Sequence, residues 1–466
     1  MLEKIYGSDL IDLVVDSLNM SDVFKKKTIV LGKNDVERSR RLSEIETKIS
    51  NPKRYFDVDY QLCEDALEAA ILARMLEKSR DEVEGKFDRA LRLCKKMNNR
   101  RQLVRLHYQR AWTYINWYDD HLEFISQYKS FKDLLIEESN IAEIELYFNL
   151  INLMRGIPAS EEINVEAEIG GFLEILAKYE NNELAPCSSL IAKCYSLLVK
   201  LITAFSSRED PKQYIIRLSE NLESSVYFLD FPFESFRKII DVLGKFFTNN
   251  GDFDILIDTV ASLLEKRTSE LAAGEVFLSR GFQKLKSSLF KDSIVYFGKA
   301  IFKLSKKESQ DKLYFSLVGL SNAYRAFGLM WASNNCLIAA TSMSIKSWYE
   351  RGTMSEQFND CIEQFAMNEL IIGRVPAFLN WHELFCVTSK YRDINSQNNS
   401  RLELMDAFFS VRILNTSEEN VNCISLLPDL LASQDLVLSQ DASLFWLGYE
   451  EEIIENYRGL NIEKKR

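Results

Sequence analysis

The 466-residue sequence is poor in the two residues that most often form turns, with 7 prolines and 17 glycines. Average usage is about 5% for proline and about 7% for glycine, so both are scarce here. Sandwiches, barrels and propellers need many tight turns, and doubly wound nucleotide-binding folds need glycine-rich loops. The composition therefore disfavours these classes and favours long helices joined by short polar connections.

The residues of common catalytic and metal motifs are also sparse. None of the three histidines, His107, His121 and His382, lies four residues from another. His382-Glu383 begins like the zinc motif HExxH, but the second histidine is missing. The eight cysteines include no CxxC pair, and such scattered cysteines are typical of buried apolar positions in a reducing cytosol. No P-loop, GxGxxG or GxSxG pattern is present. We expect no metal, no cofactor and no enzymatic activity.

The charge and the hydrophobic runs bear on surfaces that the protein could bind. The net charge is −11, which argues against a protein that coats nucleic acid or an anionic membrane. The most apolar window, 189–205, contains Lys193 and Lys200, and it predicts a buried core helix rather than a membrane span. Residues 1–19 include acidic side chains and no small-residue cleavage site, unlike a secretory signal. We expect a cytoplasmic protein without a membrane segment.

Helical periodicity recurs from near Tyr60 to the end of the chain. Polar turn signals such as Asn98-Asn99 and Asn181-Asn182 divide it into segments of single-helix length. Two helices recur in roughly 35 to 42 residues, a spacing typical of helical repeats. The predicted fold is all-α, an antiparallel helix-hairpin α-solenoid.

Composition divides the chain into four predicted regions. Residues 1–58 are a polar, partly irregular lead-in with a possible short strand at 28–31. Residues 59–270 are a divergent helical-repeat array, and residues 271–391 contain the clearest repeats. The polar stretch 392–400 then separates these repeats from the C-terminal helices. The fourth region, residues 392–466, is the group of helices that caps the solenoid.

Two consecutive repeat units can be superposed on each other. In the first unit, the intervals are four, twelve, four and three residues, at Phe277, Gly281, Ser293, Phe297 and Ala300. The second unit has the same intervals 40 residues later, at Leu317, Ser321, Ser333, Leu337 and Ala340. Small residues at one point of each helix allow paired helices to approach closely, and large apolar residues one turn away fill the adjacent groove.

This pattern resembles the tetratricopeptide repeat, a pair of antiparallel helices with small and aromatic residues at fixed places. The structural repeat positions are Phe277, Gly281, Phe297, Ala300, Leu320, Tyr324, Gly328, Leu337 and Ala340. The first unit departs from the family where Arg280 and Lys284 replace expected apolar residues, neither unit has the closing proline, and the period is longer. The divergent units also resemble the long helical regions attached to bacterial signalling and defence ATPases.

The resemblance implies a concave surface, lined by the inner helices, that binds a peptide or protein. In the family, an asparagine on the inner helix often binds the ligand backbone, and Asn322 is the candidate here. Arg280, Lys284 and Arg325 could add positive charge for an acidic segment. The resemblance therefore implies a non-enzymatic scaffold, adaptor or sensor, with an effector that is fused to it or separate.

A second candidate surface is basic and aromatic, between Arg89 and Arg110. Its basic residues are Arg92, Lys95, Lys96, Arg100, Arg101 and Arg105. Aromatic residues follow them from Tyr108 to Tyr118. Arginine beside aromatic rings can bind nucleic acid or an acidic protein, or such a cluster can be an ordinary solvated face. The alternative function is therefore a nucleic-acid-associated factor, which the net charge makes unlikely.

Overall fold

The computed structural model describes residues 33–55, 59–135, 140–157, 163–352, 356–391, 399–416 and 427–448. The possible strand at 28–31 and residues 392–398 of the polar stretch lie outside them. The α-helices in the first half are α1 Lys33–Ser50, α2 Pro52–Tyr55, α3 Asp59–Met75, α4 Arg80–Met97, α5 Arg100–Trp117, α6 His121–Asp133, α7 Ile141–Met154, α8 Val165–Glu180, α9 Pro186–Ser207, α10 Lys212–Ser224 and α11 Phe233–Leu243. Those that follow are α12 Gly251–Arg267, α13 Glu270–Lys286, α14 Phe290–Leu304, α15 Gln310–Ala326, α16 Met330–Arg351, α17 Glu356–Ile372, α18 Val375–Tyr391, α19 Asn399–Leu414, α20 Leu427–Ser433 and α21 Val437–Leu447.

The chain forms two compact units, Met1–Leu263 (unit 1) and Leu264–Arg466 (unit 2). In both units, most helices pack against the helix that follows across a short connection, so these neighbours run antiparallel. The predicted all-α, antiparallel helix-hairpin α-solenoid is confirmed for the described residues.

Asparagine caps explain several of the helix boundaries in unit 1. Asn98 ends α4 in the left-handed conformation (φ 48°), and the side chain of Asn99 accepts a hydrogen bond from Gln102 N to begin α5. Asn140 and Asn164 cap α7 and α8 in the same way. The break predicted at Asn98-Asn99 is therefore a helix boundary.

Alternate helices of unit 1 form a layer of their own. The helices α3, α5 and α7 begin at residues 59, 100 and 141, so the period is 41 residues. Along this series, α3 contacts α5, α5 contacts α7, and α7 contacts α9. Residues 41 positions apart therefore recur at equivalent places on this layer.

Helix α1 lies in the polar lead-in but packs against the repeats. Leu42 and Ile45 are buried in one core cluster with residues of α3 and α4. On the flanking face, Glu46 Oε1 accepts hydrogen bonds from Lys86 Nζ and Arg89 Nη2, each at 2.6 Å. Two apolar residues three positions apart are enough to anchor a helix whose other faces are charged.

Helix α9 is long and apolar enough to cross a membrane by length and composition, and 72% of its apolar window is buried inside the protein. Cys194, Tyr195 and Leu198 are fully buried within it. The burial agrees with the core helix predicted for residues 189–205.

In unit 2, the repeat positions lie where the helices of each hairpin cross. A Cβ atom on Gly281 would lie 2.8 Å from the ring of Phe297, and Ser293 Oγ donates a hydrogen bond to the Gly281 carbonyl at 2.9 Å. The equivalent pair in the next repeat, Ser321 and Ser333, shares a hydrogen bond of 2.8 Å between hydroxyl groups. The buried repeat positions are Phe277, Phe297, Ala300, Leu320, Leu337 and Ala340.

The two remaining repeat positions, Tyr324 and Gly328, lie near the C-terminal end of α15. Tyr324 is half-buried and packs against the core cluster around Phe297. Gly328 follows the helix with φ +84°, in the left-handed region that favours glycine. It ends the helix and turns the chain toward α16.

Candidate functional site

A groove of about 510 Å³ runs across the alternate-helix layer of unit 1. We call it the unit-1 groove, and its walls come from α3, α5, α7 and the residue that precedes α7. Its lining residues are Tyr60, Leu67, Ile71, Arg101, Arg105, Tyr108, Gln109, Asn140, Ala142, Glu143, Glu145, Leu146 and Asn149. The volume falls within the range of binding clefts, about 300 to 1,000 Å³.

The 41-residue period brings the lining residues together. Tyr60, Arg101 and Ala142 occupy equivalent places in successive repeats. A second equivalent series is Leu67, Tyr108 and Asn149. The groove therefore contains the same two positions of three consecutive helical repeats, which is how helical repeats generate extended binding surfaces.

Two arginine–carboxylate pairs fix the walls of the groove. Arg100 donates to both oxygens of the buried Glu143 carboxylate at 2.9 and 2.8 Å, which ties α5 to α7. Arg105 donates to both oxygens of Glu64 at 3.0 and 2.8 Å, which ties α5 to α3. The Arg100 pair uses two guanidinium nitrogens and a buried carboxylate, so it fixes geometry as well as adding energy. The Arg105 pair is made by Nη1 alone and is exposed, so it contributes less. The side chain of Arg101, one turn before Arg105, is exposed at the groove.

Asn149 has hydrogen-bonding capacity that the protein leaves unused. The residue is 9% exposed and lines the groove. Its Nδ2 donates to Tyr108 Oη at 3.4 Å, and its buried Oδ1 has no hydrogen-bond partner. Buried polar atoms are nearly always paired in folded proteins, so the unpaired amide oxygen makes Asn149, which also lines the groove, a candidate contact for a ligand donor.

A buried cation lies behind the same wall. Arg74, 7% exposed, donates from Nη1 to Gln109 Oε1 at 3.1 Å and to Thr113 Oγ1 at 2.8 Å. Its guanidinium stacks over the rings of Trp112 and Trp117, with 4.5 and 5.0 Å to the centroids. Burial lowers the pKa of Arg74 to about 10, so the group stays charged at neutral pH. Since Gln109 lines the groove, this end carries a positive field that favours negative ligand groups.

The residues of the predicted basic surface do not form one patch. Arg92, Lys95 and Lys96 are exposed on α4 and do not line the groove. Arg101 and Arg105 line the groove, whereas Arg100 is paired with Glu143. Tyr108, Trp112 and Tyr114 are 4 to 5% exposed, so their faces are not open to nucleic-acid bases. This geometry does not favour the nucleic-acid interpretation.

The predicted inner-face residues of unit 2 are divided between interior and surface. Arg280 and Lys284 are 0% and 1% exposed, so the structure places them inside the protein rather than on a solvent-facing surface. Arg280 donates to Gln283 Oε1 at 2.9 Å, and Lys284 Nζ lies 3.4 Å from Asp292 Oδ2. Both occupy positions where the repeat pattern requires core residues, which explains their burial. Asn322 and Arg325 are half-buried, and Arg325 Nη2 donates to Asn322 Oδ1 at 3.3 Å.

The unit-1 groove was only partly foreseen from the sequence. Arg101 and Arg105 belong to the predicted basic surface, but Asn149 and Arg74 were missed. The 41-residue spacing was the available signal for Asn149, because it places this residue beside Tyr108. The local sequence around Arg74 resembles an ordinary helix end and gives no such signal. Among the described residues, no group of three His, Cys, Asp or Glu side chains is placed to bind a metal ion.

The helices and the recurring groove positions define a helical repeat protein. Among solved structures, aspartyl phosphate phosphatase F from Bacillus subtilis is similar over 78% of this chain and 96% of its own, with 10% identity and a TM-score of 0.33. A circular tandem repeat protein with novel repeat topology is similar over 98% of this chain and 96% of its own, with 12% identity and a TM-score of 0.15. Neither the protein-family models nor the curated proteins give a match. Since both structural similarities are distant, the fold assignment rests on the helices themselves.

Proposed function

We propose that this chain is a non-enzymatic scaffold that binds an extended segment of a partner protein in the unit-1 groove. The unpaired, buried Oδ1 of Asn149 is the observation that carries the proposal. A main-chain N–H of an extended segment would supply the missing donor. The repeated lining positions would then contact successive side chains of that segment.

The charges of the groove favour a segment that contains a carboxylate. Arg101 is exposed on one wall, and the Arg74 guanidinium lies behind Gln109 on another. Glu64 and Glu143 are already engaged by Arg105 and Arg100, which leaves the half-buried Glu145 as the remaining carboxylate of the lining. A ligand carboxylate would therefore meet Arg101 and the field of Arg74, whose charges are less fully compensated than those of Arg100 and Arg105.

The wider role that we propose is that of a cytoplasmic sensor or adaptor. Binding of the segment would change the packing of the helix layer and signal to an effector, fused or separate, as in a bacterial signalling or defence system. Asn322 and Arg325 are proposed as additional contacts in the repeats of residues 271–391. We also propose that the chain consists of a lead-in at 1–58, a divergent array at 59–270, the clear repeats at 271–391 and a C-terminal cap at 392–466.

The test is purification of the tagged chain from its own cells with nuclease treatment, followed by mass spectrometry. We expect one protein in near-equal amount, retained at moderate salt. Asn149→Leu is expected to abolish its recovery, because leucine of similar size cannot accept a hydrogen bond. Loss of all bound material on nuclease treatment would instead contradict the proposal.

A matched variant on the same helix separates binding from folding. Glu145→Gln lies one turn before Asn149 and also lines the groove, but it changes only one half-buried carboxylate. We expect this variant to retain the partner. Equal recovery with Asn149→Leu and Glu145→Gln would exclude Asn149 as a contact.

A further inference from the structure

A second cleft, in unit 2, has a chemistry different from that of the unit-1 groove. It lies among α18, α19 and the turn that precedes α21, and its volume is about 550 Å³. We call it the C-terminal cleft. Phe385, Leu402, Leu436 and Val437 supply apolar lining. Its size and its mostly apolar lining are those of a small-molecule site.

The imidazole of His382 is the most buried polar group of this cleft, with 2% exposure. Its Nδ1 lies 3.2 Å from Gln434 Oε1 and 3.7 Å from Cys386 Sγ, and we assign the hydrogen to Nδ1 because an amide carbonyl oxygen can only accept. The lone pair is therefore on Nε2, and Nε2 makes no hydrogen bond within the described residues. Burial lowers the pKa of His382, which keeps the ring neutral and able to accept.

The charged groups that line the cleft are carboxylates. Glu403 is exposed at the rim. Asp406 lies deeper, and its two oxygens accept from Leu438 N and Ser439 N at 2.8 Å each, which caps the first turn of α21. Asp435 also lines the cleft, with a left-handed φ of 59°. An anionic ligand would be repelled here, and a cationic one attracted.

We propose that the C-terminal cleft binds a small amphipathic amine. The ammonium group donates to His382 Nε2 and lies beside the Glu403 carboxylate, and the apolar part of the ligand packs on Phe385 and Leu436. A protonated amine supplies both features that the lining lacks, a strong hydrogen-bond donor and a positive charge. Because Asp406 lines the cleft and caps α21, occupancy is linked to the packing of the C-terminal helices. The proposal is independent of the unit-1 groove.

Cys386 provides a direct measure of occupancy, because its half-buried thiol lines the same cleft. The experiment measures the rate of Cys386 alkylation by iodoacetamide in the full chain, by peptide mass spectrometry, with hexylamine, hexanoate or 1-hexanol present. We expect a ligand this small to bind with a dissociation constant of about 2.5 mM, so about 10 mM hexylamine should slow alkylation on the order of fivefold. Hexanoate and hexanol at the same concentration should slow it much less.

Internal controls come from the chain itself. Cys187 is half-buried in unit 1, and its alkylation rate should not change with any of the three compounds. Glu403→Gln removes one exposed charge and should weaken protection by hexylamine while leaving the weak effect of hexanol unchanged. His382→Phe keeps an aromatic ring against Phe378, whose centroid is 5.6 Å away, and should also weaken protection.

Two results would overturn the proposal. Equal protection by all three compounds would show an apolar cavity without preference for an amine, and no protection by hexylamine would show that none binds. If Cys386 does not react with iodoacetamide, isothermal titration calorimetry with the same compounds decides instead. Absence of saturable, amine-selective heat would then reject the site.

Discussion

Phe297 illustrates how one side chain determines the distance between three helices. Its ring lies between two glycines: a Cβ on Gly281 of α13 would come within 2.8 Å of it, and one on Gly319 of α15 within 2.4 Å. Real Cβ atoms do not approach so closely, so both positions require glycine for packing rather than for conformational freedom. Close approach of α13 and α15 to α14 depends on these two missing methyl groups.

Gly319→Ala should therefore destabilise unit 2. The added methyl group forces the buried Phe297 ring to move, and overpacking of this kind costs about 1 to 3 kcal/mol. Urea denaturation followed by circular dichroism measures the change. The matched control is Gly298→Ala in α14, where no atom lies within 4 Å of the new Cβ. Alanine should leave stability unchanged or raise it by about 0.5 to 1 kcal/mol, and equal loss in both variants would refute the packing argument.

At this scale, the sequence predicted the small residues but not all of their neighbours. Gly281, Ser293, Ser321 and Ser333 were identified from their equal spacing, and they meet where the helices cross. Gly319 was not identified, because it lies outside the superposed intervals. The burial of Arg280 and Lys284 was not predicted. Their charge indicated a solvent-facing position, whereas their place in the repeat requires a core position.

At the scale of the helix, α1 shows how a polar segment becomes part of the core. Hydrogen bonds from Arg89 and Lys86 lower the pKa of the Glu46 carboxyl from 4.5 to about 2. A carboxyl whose pKa is lower in the folded state stabilises the fold above its unfolded pKa. That stabilisation disappears as the pH falls through the folded pKa.

Glu46→Gln should consequently lower the free energy of unfolding at pH 7 by on the order of 2 kcal/mol. The difference from the parent should narrow as the pH falls from 4.5 toward 2, because the parent carboxyl becomes protonated there. Urea denaturation at several pH values provides the measurement. Glu44→Gln, which removes an exposed pair with Arg40, should cost less than about 0.5 kcal/mol at every pH. A constant difference for Glu46→Gln would contradict the link between α1 and α4.

Helices α16 and α17 are joined by a buried polar network. Asn368 Nδ2 donates to Ser333 Oγ and to Asn334 Oδ1 at 2.9 Å each, and Asn334 Nδ2 donates to Glu369 Oε1 at 2.7 Å. Each of these residues is at most 3% exposed. Such a network fixes the register of the helices, because any shift leaves buried polar groups unpaired.

Asn368→Ala should cost about 1 to 3 kcal/mol, since it leaves the buried Asn334 Oδ1 without this donor and leaves Ser333 only its hydrogen bond with Ser321. Thermal or urea denaturation would reveal the loss. Asn335→Ala, on the exposed face of α16, should change stability by less than about 0.5 kcal/mol. An unchanged midpoint for Asn368→Ala would mean that the network contributes nothing to stability.

At the scale of the whole molecule, scarcity of proline and glycine and the two-helix rhythm were enough to predict the fold. The helix boundary at Asn98-Asn99 was predicted from its turn signal, and the structure shows the caps that form it. The binding groove could not be predicted in the same way, because it depends on residues 41 positions apart on three helices. Arg74 needed the structure, since only its burial distinguishes it from a solvated arginine at a helix end.

The central claim is that a partner protein binds in the unit-1 groove. The most direct test compares the affinity of the co-purified partner for two charge reversals, Arg101→Glu in the groove and Arg92→Glu on the exposed face of α4. Both variants change the net charge equally, so a general electrostatic effect cannot separate them. The account predicts that Arg101→Glu weakens binding by about tenfold or more, about 1.4 kcal/mol, and that Arg92→Glu leaves it nearly unchanged. Equal weakening by both variants, or by neither, would contradict it.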